Sequence, residues 1–268
     1  MKINTKGLEK PLQIRLKQAL KMLLKVQKGL FKAYHQDLVE VFIKNEREWV
    51  TQYDLWVDKI LKKELAQFFN DAWISEESTP LQSNTGYSWI LDPIDGTNNF
   101  AKKVPFFCVS LALCYQDKTI AGFIFDVVHN TLYCAYNQKS YIITPFKTQE
   151  VLLKPLKLKE AVVSFGVSHA YLDHCQELKE GWIHLEKKTL ASRRYGSAAL
   201  EIVFVGLQKL GFYWIMGHHI WDVAAALLFV ENIGIKVLNL PLKNTLVVYH
   251  PHLQEGVQSF LNQIENHH

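Results

Sequence analysis

Cysteine is scarce in this chain, with four in 268 residues at Cys108, Cys114, Cys134 and Cys175. None forms a C-x-x-C pair, so no zinc knuckle or dithiol redox motif is written here. Three of the four sit in apolar, strand-like runs, and buried free thiols in a reducing compartment are the expectation. Long apolar runs are missing too, and none approaches the roughly 20 residues of a membrane span. No N-terminal stretch has the charged, then apolar, then small-residue layout of a secretory signal, so a cytoplasmic setting is expected. Repeats, low-complexity tracts and long linkers are absent, which excludes solenoid and largely disordered architectures. Nor is there a large excess of one charge: Lys plus Arg number 30 against 26 for Asp plus Glu. That small surplus suits an anionic substrate and does not by itself argue for nucleic acid; no nucleic-acid or membrane partner is expected. Lys17, Lys21, Lys25 and Lys28 fall on helical spacing and read as a solvated face.

What is present is an ordinary globular composition, 49% apolar and 21% charged, in a chain long enough to bury a large core. Leu12, Leu16, Leu20, Leu23, Leu24 and Leu30 recur at helical spacing after Pro11, which predicts an amphipathic helix over 8–34. A second helix is expected from Thr51 to about Phe69. Strands are expected at 72–75, 87–91, 106–115, 119–128 and 131–136. The second half reads as strands near 162–165, 212–216 and 246–249, with helices at 197–207, 221–231 and 253–265. Early strands followed by alternating helices and strands indicate layered α+β rather than a doubly wound sheet.

The most informative stretch is Trp89-Ile90-Leu91-Asp92-Pro93-Ile94-Asp95-Gly96-Thr97-Asn98-Asn99-Phe100. An apolar strand is expected to end at Asp92-Pro93, because proline fixes its own φ and removes a donor. Gly96 permits a backbone conformation that a β-carbon resists. Two carboxylates, a hydroxyl and free amides then share one elbow, a set that suits a hard divalent cation and a phosphate. Read locally, D-x-x-D-G is also a common surface turn. Two further acids stand in similar places. Glu76 and Glu77 follow a short apolar strand and can equally be a solvated acidic loop. Asp222 opens an apolar helix and can equally be a first-turn acid favoured by the dipole. Thr51-x-x-Asp54 approximates a capping box, with Asp in place of the usual Glu or Gln. His218 and His219, just before Asp222, read as loop residues.

Taken together, Val50-Thr51-Gln52-Tyr53-Asp54, Ser75-Glu76-Glu77-Ser78, Asp92 to Thr97, Gly196-Ser197-Ala198-Ala199 and Trp221-Asp222-Val223-Ala224-Ala225 resemble the inositol monophosphatase family of metal-dependent, lithium-sensitive phosphatases. The five segments occur in that family's order and near its spacing, and the likeness covers the chain from about Lys44 to the last strand. The resemblance implies a layered αβαβα sandwich in one phosphatase domain over 1–268. That domain can also be read as two tightly packed halves, about 1–140 and 141–268, with the metal site between them. It implies two or three Mg²⁺ ions held by Glu76, Asp92, the carbonyl of Ile94, Asp95 and Asp222. It implies catalytic roles for Asp54, Glu76 and Thr97, the first and last as a polarising pair beside the attacking water. Substrate would be bound by Lys44, Asp95, Gly96, Thr97, Gly196, Ser197, Ala198 and Asp222. Family members are often homodimers.

Two departures qualify the likeness. Ile215 stands seven residues before Asp222, where inositol-specific members carry an acid that grips substrate hydroxyls; an aliphatic group accepts no hydrogen bond. Asn137-Gln138-Lys139-Ser140-Tyr141 replaces the usual Gly-rich hairpin. The expectation is therefore Mg²⁺-dependent hydrolysis of a small phosphate monoester, inositol monophosphate or a related polyol phosphate. The alternatives are a nucleotide 3′-phosphatase, a sugar bisphosphatase, or a weakly active member serving as an RNA- or protein-binding regulator.

Overall fold

The computed structural model describes residues 1–36, 39–45, 48–168, 171–172, 176–240 and 244–265. In chain order the first half runs α1 (Lys10–His35), β1 (Val41–Asn45), β2 (Glu48–Thr51), α2 (Gln52–Leu61), β3 (Ala72–Ser75), β4 (Tyr87–Asp95) and α3 (Thr97–Ala101). It continues through β5 (Cys108–Tyr115), β6 (Lys118–Asp126), β7 (Thr131–Tyr136), β8 (Lys139–Ile143) and β9 (Thr148–Glu150). The second half runs β10 (Val162–Val167), α4 (Gln176–Glu186), β11 (Ala191–Arg193), α5 (Ala198–Gly206), β12 (Phe212–Met216), α6 (Ile220–Glu231), β13 (Lys236–Leu240), β14 (Thr245–Tyr249) and α7 (Gln254–Glu265).

Strands β3 to β9 form one seven-stranded sheet in sequence order, parallel between β3 and β4 and antiparallel elsewhere. A five-stranded sheet has the order β11-β10-β12-β14-β13. Three apolar cores separate five layers. The first lies between α1, α2 and one face of the larger sheet. The second places α5 and α6 between the two sheets. The third packs α4 and α7 on the outer face of the smaller sheet. Helix α1 follows the expected pattern, with Leu16, Leu20, Leu23 and Leu30 buried. Its Arg15 is bidentate to buried Asp71, at 2.8 and 2.7 Å, and Asp71 also accepts from Trp89 Nε1 at 3.1 Å. Trp73 lies beside Trp89 in the parallel register and donates to Asp58 of α2 at 3.1 Å. Both rings are fully buried, so cutting either to alanine would cost about 3–5 kcal/mol.

The structure corrects several sequence expectations. β4 does not stop at Leu91. It continues to Asp95 through a bulge, with Asp92 opposite Ser110 and Asp95 opposite Cys108, and Pro93 falls in the gap where no ladder donor is needed. Unforeseen strands β8 and β9 extend the larger sheet to residue 150. The β7–β8 turn keeps a tight two-residue form without glycine, because Asn137 and Gln138 both take positive φ, 52° and 59°. The second helix loses α-helical pairing at Leu61 and passes into a π-helical turn, Lys62–Gln67. α4 and the β1–β2 hairpin were also unanticipated. Cys175 lies outside the described residues; Cys108, Cys114 and Cys134 are free and buried.

Candidate metal and phosphate site

The parallel pair β3–β4 brings two carboxylate-bearing strand ends side by side. Glu76 directly follows β3 and its amide donates to the Leu91 carbonyl at 3.4 Å. At the end of β4 the bulge turns Asp92 inward, and its Oδ1 accepts the Ile94 amide at 3.1 Å. Gly96 then takes φ 96°, and a β-carbon there would lie only 3.1 Å from the Gly196 carbonyl oxygen and 3.2 Å from that of Phe106. Only glycine fits both the conformation and the gap.

Asp95 points across to the second half of the chain. Its carboxylate accepts the Ser197 hydroxyl at 2.6 Å, the Ala198 amide at 3.0 Å and the Ala199 amide at 2.7 Å. It thereby caps the N-terminus of α5 from another element, satisfying donors that a helix leaves open. The Cys108 thiol adds a weak contact at 3.6 Å. Asp222 is the third residue of α6 and accepts the His219 amide at 2.7 Å. The local capping role and a place in the cleft are thus both realised.

Behind the elbow, the Thr51–Asp54 capping box forms: the Thr51 amide donates to Asp54 Oδ2 at 2.8 Å, and Asp54 N donates to Thr51 Oγ1 at 3.4 Å. The other Asp54 oxygen lies 3.1 Å from the Thr97 hydroxyl, which also lies 2.9 Å from the Ile94 carbonyl. One hydroxyl proton therefore faces two acceptors.

Glu76, Asp92, Ile94, Asp95, Gly96, Thr97, Gly196, Ser197, Ala198 and Asp222 line one cleft of about 450 Å³. Asp54 stands behind it, linked through Thr97. Lys44 belongs to β1, and its side chain lies outside the described residues. Burial pushes Asp54 and Asp95 up to about 6 and Asp222 up to about 7. Asp92 is driven well above the carboxylate range, first by burial and then by the charges of Glu76, Asp95, Asp222 and Asp54. Crowded, desolvated carboxylates that raise one another in this way fit a multivalent cation, and an all-oxygen set suits a hard one. Among the described residues no three such side chains close on a single point.

The same cleft is also lined by a second wall from the other half of the chain, Phe165, Val167, Arg194, Tyr213 and Ile215, the elbow at 92–97 being the first. Ile215 pairs in register with Gly166 and Leu246 and is almost fully buried. Arg194 donates to the Val167 carbonyl at 3.1 Å. His219 is not merely a loop residue: it lines the cleft and stacks on Trp221, with ring centroids 4.7 Å apart. Glu201 went unnoticed in the sequence. It accepts the Tyr195 and Gly196 amides, each at 3.3 Å, and burial pushes it up to about 8. A lone acid in the apolar segment Ala-Ala-Leu-Glu-Ile-Val-Phe-Val was the available signal.

A model of the inositol monophosphatase family matches residues 11–260. An inositol-1-monophosphatase of Mycobacterium bovis is 31% identical over 199 residues, covering 70% of this chain and 68% of that one. A protein named Nus factor SuhB from Xylella fastidiosa is 28% identical over 198 residues, 74% and 71% of the two chains. The solved SuhB of Bartonella henselae shares the fold with a TM-score of 0.81 at 24% identity, over 92% and 97% of the chains. A solved IMPase/NADP phosphatase complexed with Mg²⁺ and phosphate superposes with a TM-score of 0.76 at 24% identity, over 94% and 97%.

Proposed function

The chain belongs to the inositol monophosphatase family, and on that premise we propose that it is a Mg²⁺-dependent phosphomonoesterase. Inositol monophosphate and related polyol phosphates are the first substrate class to test. The observation that carries the reading is the convergence of Glu76, Asp92, Asp95 and Asp222 on one cleft from three separate parts of the fold. Two or three Mg²⁺ ions would be held by these four carboxylates and the Ile94 carbonyl. When bound, the ions supply charge neutralisation and a more acidic water.

The chain's own residues supply position and proton management. Thr97 and Asp54 orient the attacking water, the Asp54 carboxylate drawing on the Thr97 hydroxyl proton. Glu76 accepts a proton from that water. The Gly96 and Thr97 amides would face the phosphate, Lys44 is proposed as a further phosphate partner, and Gly196, Ser197 and Ala198 would line the alcohol side together with Asp95 and Asp222. Phosphoryl transfer asks mainly for positioning and electrostatic stabilisation, which this division provides. Lithium sensitivity, a homodimer and a cytoplasmic setting belong to the same reading. The whole chain would act as a single domain, its two sheets joined at the cleft.

Ile215 favours a second reading within the same chemistry, in which the alcohol is that of a nucleotide or a sugar bisphosphate. The test is phosphate release from inositol, sugar and nucleotide phosphates, with and without Mg²⁺, beside Asp95→Asn. Release that requires Mg²⁺ and falls sharply in the variant, which loses a metal-binding carboxylate, supports the enzyme. Release that ignores both metal and variant overturns it.

A further inference from the structure

The modest net charge of the chain conceals a strong asymmetry. Helix α1 contains seven Lys and Arg and no Asp or Glu, while the whole chain has 30 against 26, so outside α1 the acids outnumber the bases by three. Arg15 is turned inward to Asp71. The other six, Lys10, Lys17, Lys21, Lys25, Lys28 and Lys32, are all exposed. At the helical rotation of about 100° per residue they fall within roughly 80° of arc, in a row about 33 Å long. Among the described residues none of the six is ion-paired. Their i,i+4 neighbours on the stripe include one another, at Lys17/Lys21, Lys21/Lys25 and Lys28/Lys32, an arrangement that works against the helix.

The neighbouring helix does not neutralise the row. Across α2 and the π-helical turn Lys62–Gln67, Lys59 and Lys63 are exposed, Asp54 and Asp58 are buried and Glu64 is half-buried. The outer helical layer thus shows eight exposed lysines and no exposed acid. Large apolar side chains stand among them: Ile14 within the lysine row, Phe31 beside it, and Leu55 and Phe68 on the adjoining helix.

We propose that this layer is a docking face for an anionic lipid surface, which it meets flat, by peripheral association. Lysine ammonium groups are flexible point charges suited to a diffuse array of phosphates, and among the described residues of this layer no exposed arginine offers the forked geometry used to read individual groups. The apolar face of α1 is committed to the core, so the helix does not insert. Ile14, Phe31, Leu55 and Phe68 are the side chains that a headgroup boundary would accommodate, whereas a solvated nucleic-acid backbone would leave them in water.

The test is flotation of the full chain with vesicles of phosphatidylcholine, with and without phosphatidylserine, as NaCl is raised from about 0.05 to about 0.5 M. Binding is expected only with phosphatidylserine, and it should fade with salt. The variant Lys17→Glu/Lys21→Glu/Lys25→Glu should lower partitioning by about a hundredfold or more. A control of equal charge change, Lys118→Glu/Lys154→Glu/Lys159→Glu, should keep it; thermal melting of both variants establishes that they fold. No binding to anionic vesicles at low salt overturns the proposal. Equal losses in the two variants overturn it too, as does binding to polyuridine RNA with none to vesicles.

Discussion

At one end of the cleft, Asp92, Asp95, Gly96 and Thr97 fall within a single six-residue stretch that covers a strand end, a bulge and the first turn of a helix. At the other end, Phe165, Val167, Arg194, Tyr213 and Ile215 come from separate segments and meet only through the pairing of β10 with β12 and the loop before α5. The first wall is fixed largely by backbone: a proline in a bulge, a glycine at φ 96°, amides donating to carboxylates. The second is carried by side chains on paired strands, whose identities the backbone ladder does not dictate, so it can change composition without disturbing the first. A fold built this way can keep one chemistry while exchanging the alcohol it accepts.

The sharpest way to break that comparison is a change at each wall. Thr97→Val keeps the shape of the elbow but removes the hydroxyl shared by Asp54 and the Ile94 carbonyl. Turnover should fall by about 10²–10⁴-fold for every substrate alike, with little change in their ranking. A substrate-dependent loss, measured as kcat on two different phosphate esters, would show that the walls are not independent. Ile215→Glu should do the opposite. It should raise the preference for a polyol phosphate over a hydroxyl-poor ester by about tenfold or more, the value of one hydrogen bond to a charged group, while kcat on the better substrate changes little. An unchanged kcat/KM ratio would remove Ile215 from substrate selection.

The smallest expected effect concerns pH. Asp54, Asp95, Asp222 and Glu201 all have folded values above their ordinary ones, at about 6, 6, 7 and 8. An acid raised in this way contributes stability that is full below its unfolded value and is lost as pH rises through its folded value. The Tm of the chelator-treated protein should therefore decline between about pH 4 and pH 8, and Mg²⁺ should restore it at the upper end more than at the lower. Glu201→Gln should make the decline shallower from about pH 4.5 upward and remove the part above about pH 7, where the other three acids no longer contribute. A Tm that rises over this range by scanning calorimetry would reverse the assignment.

The first wall was legible in the sequence because its groups are neighbours along the chain. The same locality misled about β4, since proline normally ends a strand and only the register with β5 reveals the bulge that admits Pro93. β8 was missed because Asn137-Gln138 makes a tight turn without glycine. The Asp95 contacts to Ser197, Ala198 and Ala199 span more than a hundred residues, and no spacing rule announces them. Lys17, Lys21, Lys25 and Lys28 are exposed as the helical spacing predicts, while an averaged charge hides that α1 carries no acid to balance them.

The Asp95 cap also bears on how far this protein can be divided. The carboxylate that closes the first turn of α5 is supplied by the larger sheet, and α5 is in turn the filling between the sheets. Cutting the chain between its sheets would strip α5 of its capping carboxylate and divide the cleft at the same stroke. On the proposed function, the smallest fragment expected to carry the chemistry is the whole stack, and exchanges between relatives should succeed only when Asp95 and the Ser197–Ala199 turn travel together.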